Sequence, residues 1–274
     1  MVERIKQAIE KARLAREDGA SATSAPQGRR PSRRAADDLW QELTQIEPDA
    51  AVMQRSRIVT SQKSDPAHIA FDVLRTRLLS TCRDNGWSRI GITSPSPGVG
   101  KTVISANLAF SLARRQDCRT VLLDLDLRAP RLASSLGVYD APQIAWFLEG
   151  GTPPERYLNR IGNNLAVGLN AVRVRDSAEL MQSAQTHASL AAMRAALAPD
   201  IILHDLPPLL VHDDAIGFLP NLDCVILVVA AGETTADSIA ECELLLSERT
   251  HFLGVVLNKG TPTSQDLQAY GYGT

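Results

Sequence analysis

Long hydrophobic runs are missing from this 274-residue chain. No apolar stretch approaches the ~18 residues that cross a bilayer. The N-terminus, MVERIKQAIEKARLARED, is charged throughout rather than built like a secretory signal. The expectation is a cytoplasmic protein that meets a membrane only through a partner or a surface helix. Charge of one sign is scarce too: 29 Lys and Arg against 31 Asp and Glu leave a net charge of -2. Without a global basic field, nucleic acid is not an expected partner. The four cysteines, Cys82, Cys118, Cys224 and Cys242, lie far apart, which argues against a disulfide scaffold or a paired metal site. They read as buried thiols in a reducing compartment. Apolar residues are plentiful, 44% against 22% charged, enough at this length for one large domain with extensions.

Along residues 2 to 17, Val2, Ile5, Ile9 and Ala12 recur at helical spacing between charged residues, the pattern of an amphipathic helix. Its thin apolar stripe, and the acidic residues that share the polar face, favour docking on protein over lipid. GASATSAPQGRRPSRRA, basic through Arg29, Arg30, Arg33 and Arg34, has the composition of a disordered linker. A short helix, DDLWQELTQI, follows, then a polar stretch to Pro66. Residues 1–66 therefore read as an N-terminal extension, 67–262 as the main domain and 263–274 as a flexible tail.

Within the main domain, helical and strand patterns alternate. HIAFDVLRTRLLSTC, TVISANLAFSLARRQ, a run from Ser177 to Leu197 and another from Thr235 to Glu248 read as helices. SRIGIT, TVLLDLDL, NLAVGL, DIILHDL, DCVILVVAA and LGVVLN read as strands. Short apolar strands separated by helices predict an α/β fold, a doubly wound and mainly parallel sheet covered on both faces. Ligands in such sheets bind beyond the carboxyl ends of the strands.

Three polar groups stand at those ends. SPSPGVGKT offers Gly98, Gly100, Lys101 and Thr102 in the arrangement that cradles phosphate, with Pro95 where the usual pattern has glycine. A plain proline-rich turn is the competing reading. TVLLDLDLRAP ends in Asp124 and Asp126, which on a strand share a face and repel unless a cation lies nearby. Carboxylates that merely cap the next turn are the alternative. DIILHDLPP puts Asp205 at the end of an apolar strand, where P-loop enzymes place a metal-organising acid, while His204 points to the other face and reads as a packing or surface histidine rather than a ligand.

TSPSPGVGKT, VLLDLDLRAP and HDLPPLLVHDDA, followed by DCVILVVAAGETT and GVVLNK, together resemble the bacterial tyrosine kinases (BY-kinases) of the CpsD/CapB type, which accompany exopolysaccharide and capsule export. The resemblance covers about residues 67 to 260. It implies a P-loop NTPase fold, ATP and Mg²⁺ as cofactors, and a phosphate-binding run of Pro97, Gly98, Val99, Gly100, Lys101, Thr102 and Val103. Pro95 becomes a variation of the family's kind. Asp124 and Asp126 take the second Walker-type motif, Asp205 the Walker B position, and Asn258 the position beside adenine.

The implied activity is hydrolysis of ATP and transfer of its γ-phosphoryl to tyrosines of the chain's own tail, usually on a neighbouring subunit. Here the acceptors would be Tyr270 and Tyr272, half of the chain's four tyrosines; an inert terminus is the other reading of that tail. A phenol of pKa near 10 needs a base and charge neutralisation to attack at neutral pH. Lys101, Asp124 and Asp126 are the catalytic candidates, Asp124 as base, with Thr102, Asp126 and Asp205 organising Mg²⁺. Implied partners are a separate membrane chain-length-determinant activator of the Wzz/CapA kind, further copies of the chain, and a cognate tyrosine phosphatase. Localisation follows, peripheral at the inner face of the plasma membrane. At the family's E-x-x-R-x-x-R positions, through which subunits pair, stand Ile69, Asp72 and Arg75.

Two other functions fit parts of the pattern. A non-kinase nucleotide switch that docks on the export machinery would suit the short tail. A partitioning ATPase of the ParA/MinD type shares the fold but carries an extra lysine where Ser96 stands here.

Overall fold

The computed structural model describes residues 33–61, 65 and 67–260. The predicted helix over residues 2–17 and the tail with Tyr270 and Tyr272 lie outside the described residues. Helix α1, Arg33–Glu42, starts inside the stretch read as linker, so Arg33 and Arg34 are helical rather than disordered. Strand β1, Thr44–Gln45, and helix α2, Ala50–Arg55, follow. Then come α3, His68–Asn85; β2, Arg89–Thr93; and α4, Lys101–Ala113. The middle of the chain forms β3, Thr120–Asp124; α5, Leu132–Leu136; α6, Ile144–Leu148; β4, Asn159–Ile161; and β5, Leu165–Gly168. It ends with α7, Ser177–Gln182; α8, Ala184–Leu197; β6, Ile201–Asp205; α9, Asp214–Phe218; β7, Cys224–Ala230; α10, Ala236–Ser247; and β8, His251–Asn258.

The strands form one sheet in the order β1-β4-β5-β3-β6-β2-β7-β8, parallel throughout except for the β4–β5 pair. This is the doubly wound α/β arrangement the alternation predicts. Side chains of each strand divide by period two between two cores. On β7, Val225, Leu227 and Val229 join the core under α1, α6, α8 and α10, whereas Cys224, Ile226 and Val228 join the core under α3, α4 and α5. Gly91 of β2 is required on the first face, because a Cβ there would stand 2.6 Å from Leu222 Cδ1. All four cysteines are buried free thiols.

Residues ahead of α3 pack on the sheet. Trp40 is fully buried, its indole Nε1 donates to Leu197 O at 2.8 Å, and the Arg119 guanidinium lies 5.2 Å from its ring centre. β1 then pairs with β4, Thr44 opposite Asn159. Further on, Asn107 of α4 accepts from Val59 N and Thr60 N at 2.8 and 3.1 Å and donates to Arg57 O at 2.9 Å. The buried amide straps residues 57–60 to the helix that begins at Lys101.

The run predicted as one helix from Ser177 to Leu197 is two. Ser183 has extended ψ and its hydroxyl accepts from Thr186 N at 3.0 Å, an N-cap that restarts the helix. Among the described residues, no helix is long and apolar enough to cross a membrane.

Candidate active site

The carboxyl ends of β2, β3 and β6 meet at one edge of the sheet, since β6 lies between the other two. From β2 the chain turns through Ser94–Gly100 into α4. Gly98 and Gly100 have φ of 81° and 98°, the left-handed region that glycine enters without strain. A Cβ on Gly100 would also collide with the Asn258 amide, whose Nδ2 donates to Val99 O at 2.8 Å. Asn258, at the end of β8, thus closes the loop from the side. Pro95 is buried, and its carbonyl accepts from Leu210 N at 3.3 Å in the loop after β6. Ser96, Pro97 and Gly98 are exposed, Val99 is buried, and Val103 is half-buried on the first turn of α4.

That first turn places Lys101 and Thr102 over the acids. Lys101 Nζ lies 2.6 Å from Asp126 Oδ2, both side chains being nearly buried. β3 ends at Asp124, so Asp126 sits just past the strand instead of on it. Asp124 and Asp205 face each other in register across β3 and β6, both fully buried. Asp124 Oδ2 accepts from Leu132 N at 3.1 Å, and Asp205 Oδ1 accepts from Ser105 Oγ at 3.0 Å. Asp124 Oδ1 and Asp205 Oδ2 have no hydrogen-bond partner among the described residues.

This crowding perturbs all three ionisations. Burial, reinforced by the Asp205 charge, pushes Asp124 well above the ordinary carboxylate range. Burial lifts Asp205 to about 6 against the pull of Lys101 and the Thr102 hydroxyl. Lys101 is drawn down by burial, but Asp205 and Asp126 outweigh it and hold the ammonium above its ordinary value. The site is a buried cation flanked by three acids, two of which keep a bare oxygen.

The sequence of residues 90–270 matches the model of the CobQ/CobB/MinD/ParA nucleotide binding domain. Tyrosine-protein kinase CpsD of Streptococcus pneumoniae serotype 4 is 33% identical over 177 residues, which are 62% of this chain and 75% of that protein. The chain belongs to this nucleotide-binding family, in its bacterial tyrosine-kinase branch. EpsB of Ralstonia solanacearum is 28% identical over 240 residues, 84% of this chain; the chain spans only 31% of that relative's length. The crystal structure of the VpsO kinase domain superposes with a TM-score of 0.62 at 29% identity, over 71% of this chain and 97% of that one.

The candidate phosphate-loop, carboxylate and Asn258 positions all lie at this edge of the sheet, whereas His204 turns away from it. Its ring is buried beside Phe218 at 5.5 Å, with Nδ1 3.1 Å from Ile90 O, a packing role. Burial lowers its pKa to about 4. Sequence reasoning missed Ser105, whose position four residues after Lys101 aims it at Asp205. It also missed Asp214, a wholly buried acid that takes Arg128 Nε at 3.0 Å and the Ser177 hydroxyl. Asp214 stands in the quoted HDDA, but no spacing rule links it to Arg128. On α3, Asp72 Oδ1 accepts from Arg75, Ser111 and Arg114 of its own chain.

Proposed function

We propose that the chain is an ATP-dependent protein-tyrosine autokinase that transfers the γ-phosphoryl of ATP to Tyr270 and Tyr272 and regulates exopolysaccharide or capsule chain length and export. The observation that carries this reading is the buried Lys101–Asp126 pair beneath a glycine loop, beside two acids each with an unpartnered oxygen.

The backbone N–H groups from Pro97 to Val103, proline excepted, cradle the phosphates, and Lys101 exchanges part of its contact with Asp126 for the β- and γ-phosphates. Asn258 borders the adenine side. The bare oxygens of Asp124 and Asp205 fit a divalent cation, and Thr102, Asp126 and Asp205 would hold it. Mg²⁺ binds through one or two carboxylates plus phosphate oxygens and water, and when bound it neutralises charge on the transferring group. Asp124, beside Lys101 and the phosphate loop, is the base that accepts the phenol proton.

The same reading carries the membrane chain-length-determinant activator, self-association and a tyrosine phosphatase as partners, and a place at the inner membrane face through the activator. It also treats residues 263–274 as the acceptor tail. Phosphotyrosine appearing with stoichiometric ADP, detected by immunoblot and absent in Lys101→Met, is the expected result. ADP release without phosphotyrosine in the presence of the activator would favour a nucleotide switch.

A further inference from the structure

Asp214 is a wholly buried acid that belongs neither to the phosphate loop nor to the carboxylates beneath it. It opens α9, at the end of the segment that follows β6. Arg128 Nε lies 3.1 and 3.0 Å from its two oxygens, and Oδ1 also accepts from the hydroxyl of Ser177, the first residue of α7. A carboxylate is costly to bury unless it is paired. The contact therefore ties together three stretches: the loop after β3, the segment after β6 and the start of α7.

Both ends of this tie lead back to the site. Ahead of Asp214, the segment after β6 runs along the phosphate loop, with Leu209 N donating to Ser94 O at 2.7 Å and Leu210 N to Pro95 O at 3.3 Å. Around Arg128, the loop after β3 wraps its own acids. Ala129 N donates to Asp126 Oδ1 at 3.3 Å, and Leu132 N to Asp124 Oδ2 at 3.1 Å. Val174 N, donating to Leu127 O at 2.9 Å, holds the same loop from the side of β5. The phosphate loop and the loop after β3 are thus joined twice, directly through Lys101 and Asp126 and indirectly through Asp214 and Arg128.

The direct joint is the weaker one once nucleotide binds. Phosphates draw the Lys101 ammonium towards themselves, so Asp126 loses part of the contact that places it just when a cation requires it. The indirect joint uses no group assigned to nucleotide or cation. It stays closed.

We infer that Asp214 is a positioning residue of the nucleotide site. Through Arg128 it keeps the loop after β3, and Asp126 with it, in place for the divalent cation while Lys101 turns to the phosphates. Ser177 orients the Asp214 carboxylate for that contact. This role deepens the kinase reading; it rests on Asp126 as a ligand of Mg²⁺ and not on phosphoryl transfer.

ADP is titrated calorimetrically onto the full chain and its variants, once with Mg²⁺ and once in EDTA. The parent should bind ADP more tightly with Mg²⁺. In Asp214→Asn and in Arg128→Gln the affinity with Mg²⁺ should fall ~10-fold, the loss typical of outer residues that orient metal ligands, while the affinity in EDTA keeps the parent's value. A general loosening of the fold would weaken both. The double variant should lose no more than either single one, because the two residues act through one contact. If circular dichroism shows one single variant unfolded, the other and the double variant, in which two neutral amides meet, read the same contact. Unchanged affinity with Mg²⁺, equal losses with and without Mg²⁺, or losses that add in the double variant overturn the inference. So does a parent that binds ADP equally in Mg²⁺ and EDTA, since Asp126 would then hold no cation. A chain that behaves as expected here but never forms phosphotyrosine would refute the kinase reading and leave Asp214 in its role.

Discussion

Lys101 and Asp126 form a nearly buried ion pair, Nζ to Oδ2 at 2.6 Å. The lysine of the glycine loop is therefore fixed by an acid that stands just past β3 and compensates its charge.

The pair sets a first prediction. Lys101→Met leaves Asp126 buried without its cation, which should lower stability by about 3 kcal/mol as well as abolish nucleotide binding. Urea denaturation and a nucleotide titration on the same variant check both effects. Full stability with lost binding would show that the pair contributes nothing to the fold.

Asp124 sets a second. Its unpartnered oxygen and its register with Asp205 penalise the folded state, so Asp124→Asn should stabilise the nucleotide-free protein by about 1 kcal/mol or more. The sign with pH follows from its raised pKa: the native state holds the proton more tightly than the unfolded chain, so the wild type loses stability as pH rises above the ordinary carboxylate range. The gap to the variant should widen from pH 4 to pH 8 in melts at matched ionic strength. Activity should fall ~10²-fold or more with the base removed.

Gly100 sets a third. Its φ of 98° strains any other residue, and an added Cβ would displace Asn258 from Val99 O. Gly100→Ala should cost about 1 to 3 kcal/mol in local strain and weaken nucleotide binding more than it lowers the melting temperature. Calorimetric titration beside a thermal melt separates the two.

Most of the sheet and the three acids at its edge were legible because each rests on local pattern: apolar runs of strand length, a glycine loop before a helix, acids at strand ends. What was not legible depends on distant partners. β1 is too short to announce itself and exists because its residues meet β4 across the sheet edge, beside the buried Trp40. Asp126 reads as a strand residue, but the strand stops at Asp124, and Asp126 is placed by Lys101. The break at Ser183 looked like ordinary helix because alanine and leucine continue on both sides of the capping serine. Asp214 and Arg128 stand 86 residues apart, and only the folded chain joins them.

His204 sets a fourth prediction, on the fold itself. Burial holds its pKa near 4, below the ordinary 6.5. The unfolded chain then binds the extra proton, so stability from this residue is full above pH 6.5 and drains away as pH falls towards 4. About 3 kcal/mol should be lost over that window, and His204→Gln should flatten that part of the pH dependence of urea unfolding. An unchanged slope would mean that the ring ionises freely in the native protein.

As a tyrosine autokinase, the proposed enzyme sends phosphate bound at Lys101 to Tyr270 and Tyr272. Intact-mass spectrometry of the full chain after incubation with MgATP and a membrane activator, followed by fragmentation of the C-terminal peptide, tests it most directly. One or two added phosphates are expected, located on those tyrosines and absent in Lys101→Met and in the Tyr270→Phe, Tyr272→Phe double variant. An unchanged mass for the wild type, or phosphate confined to other residues, would contradict it.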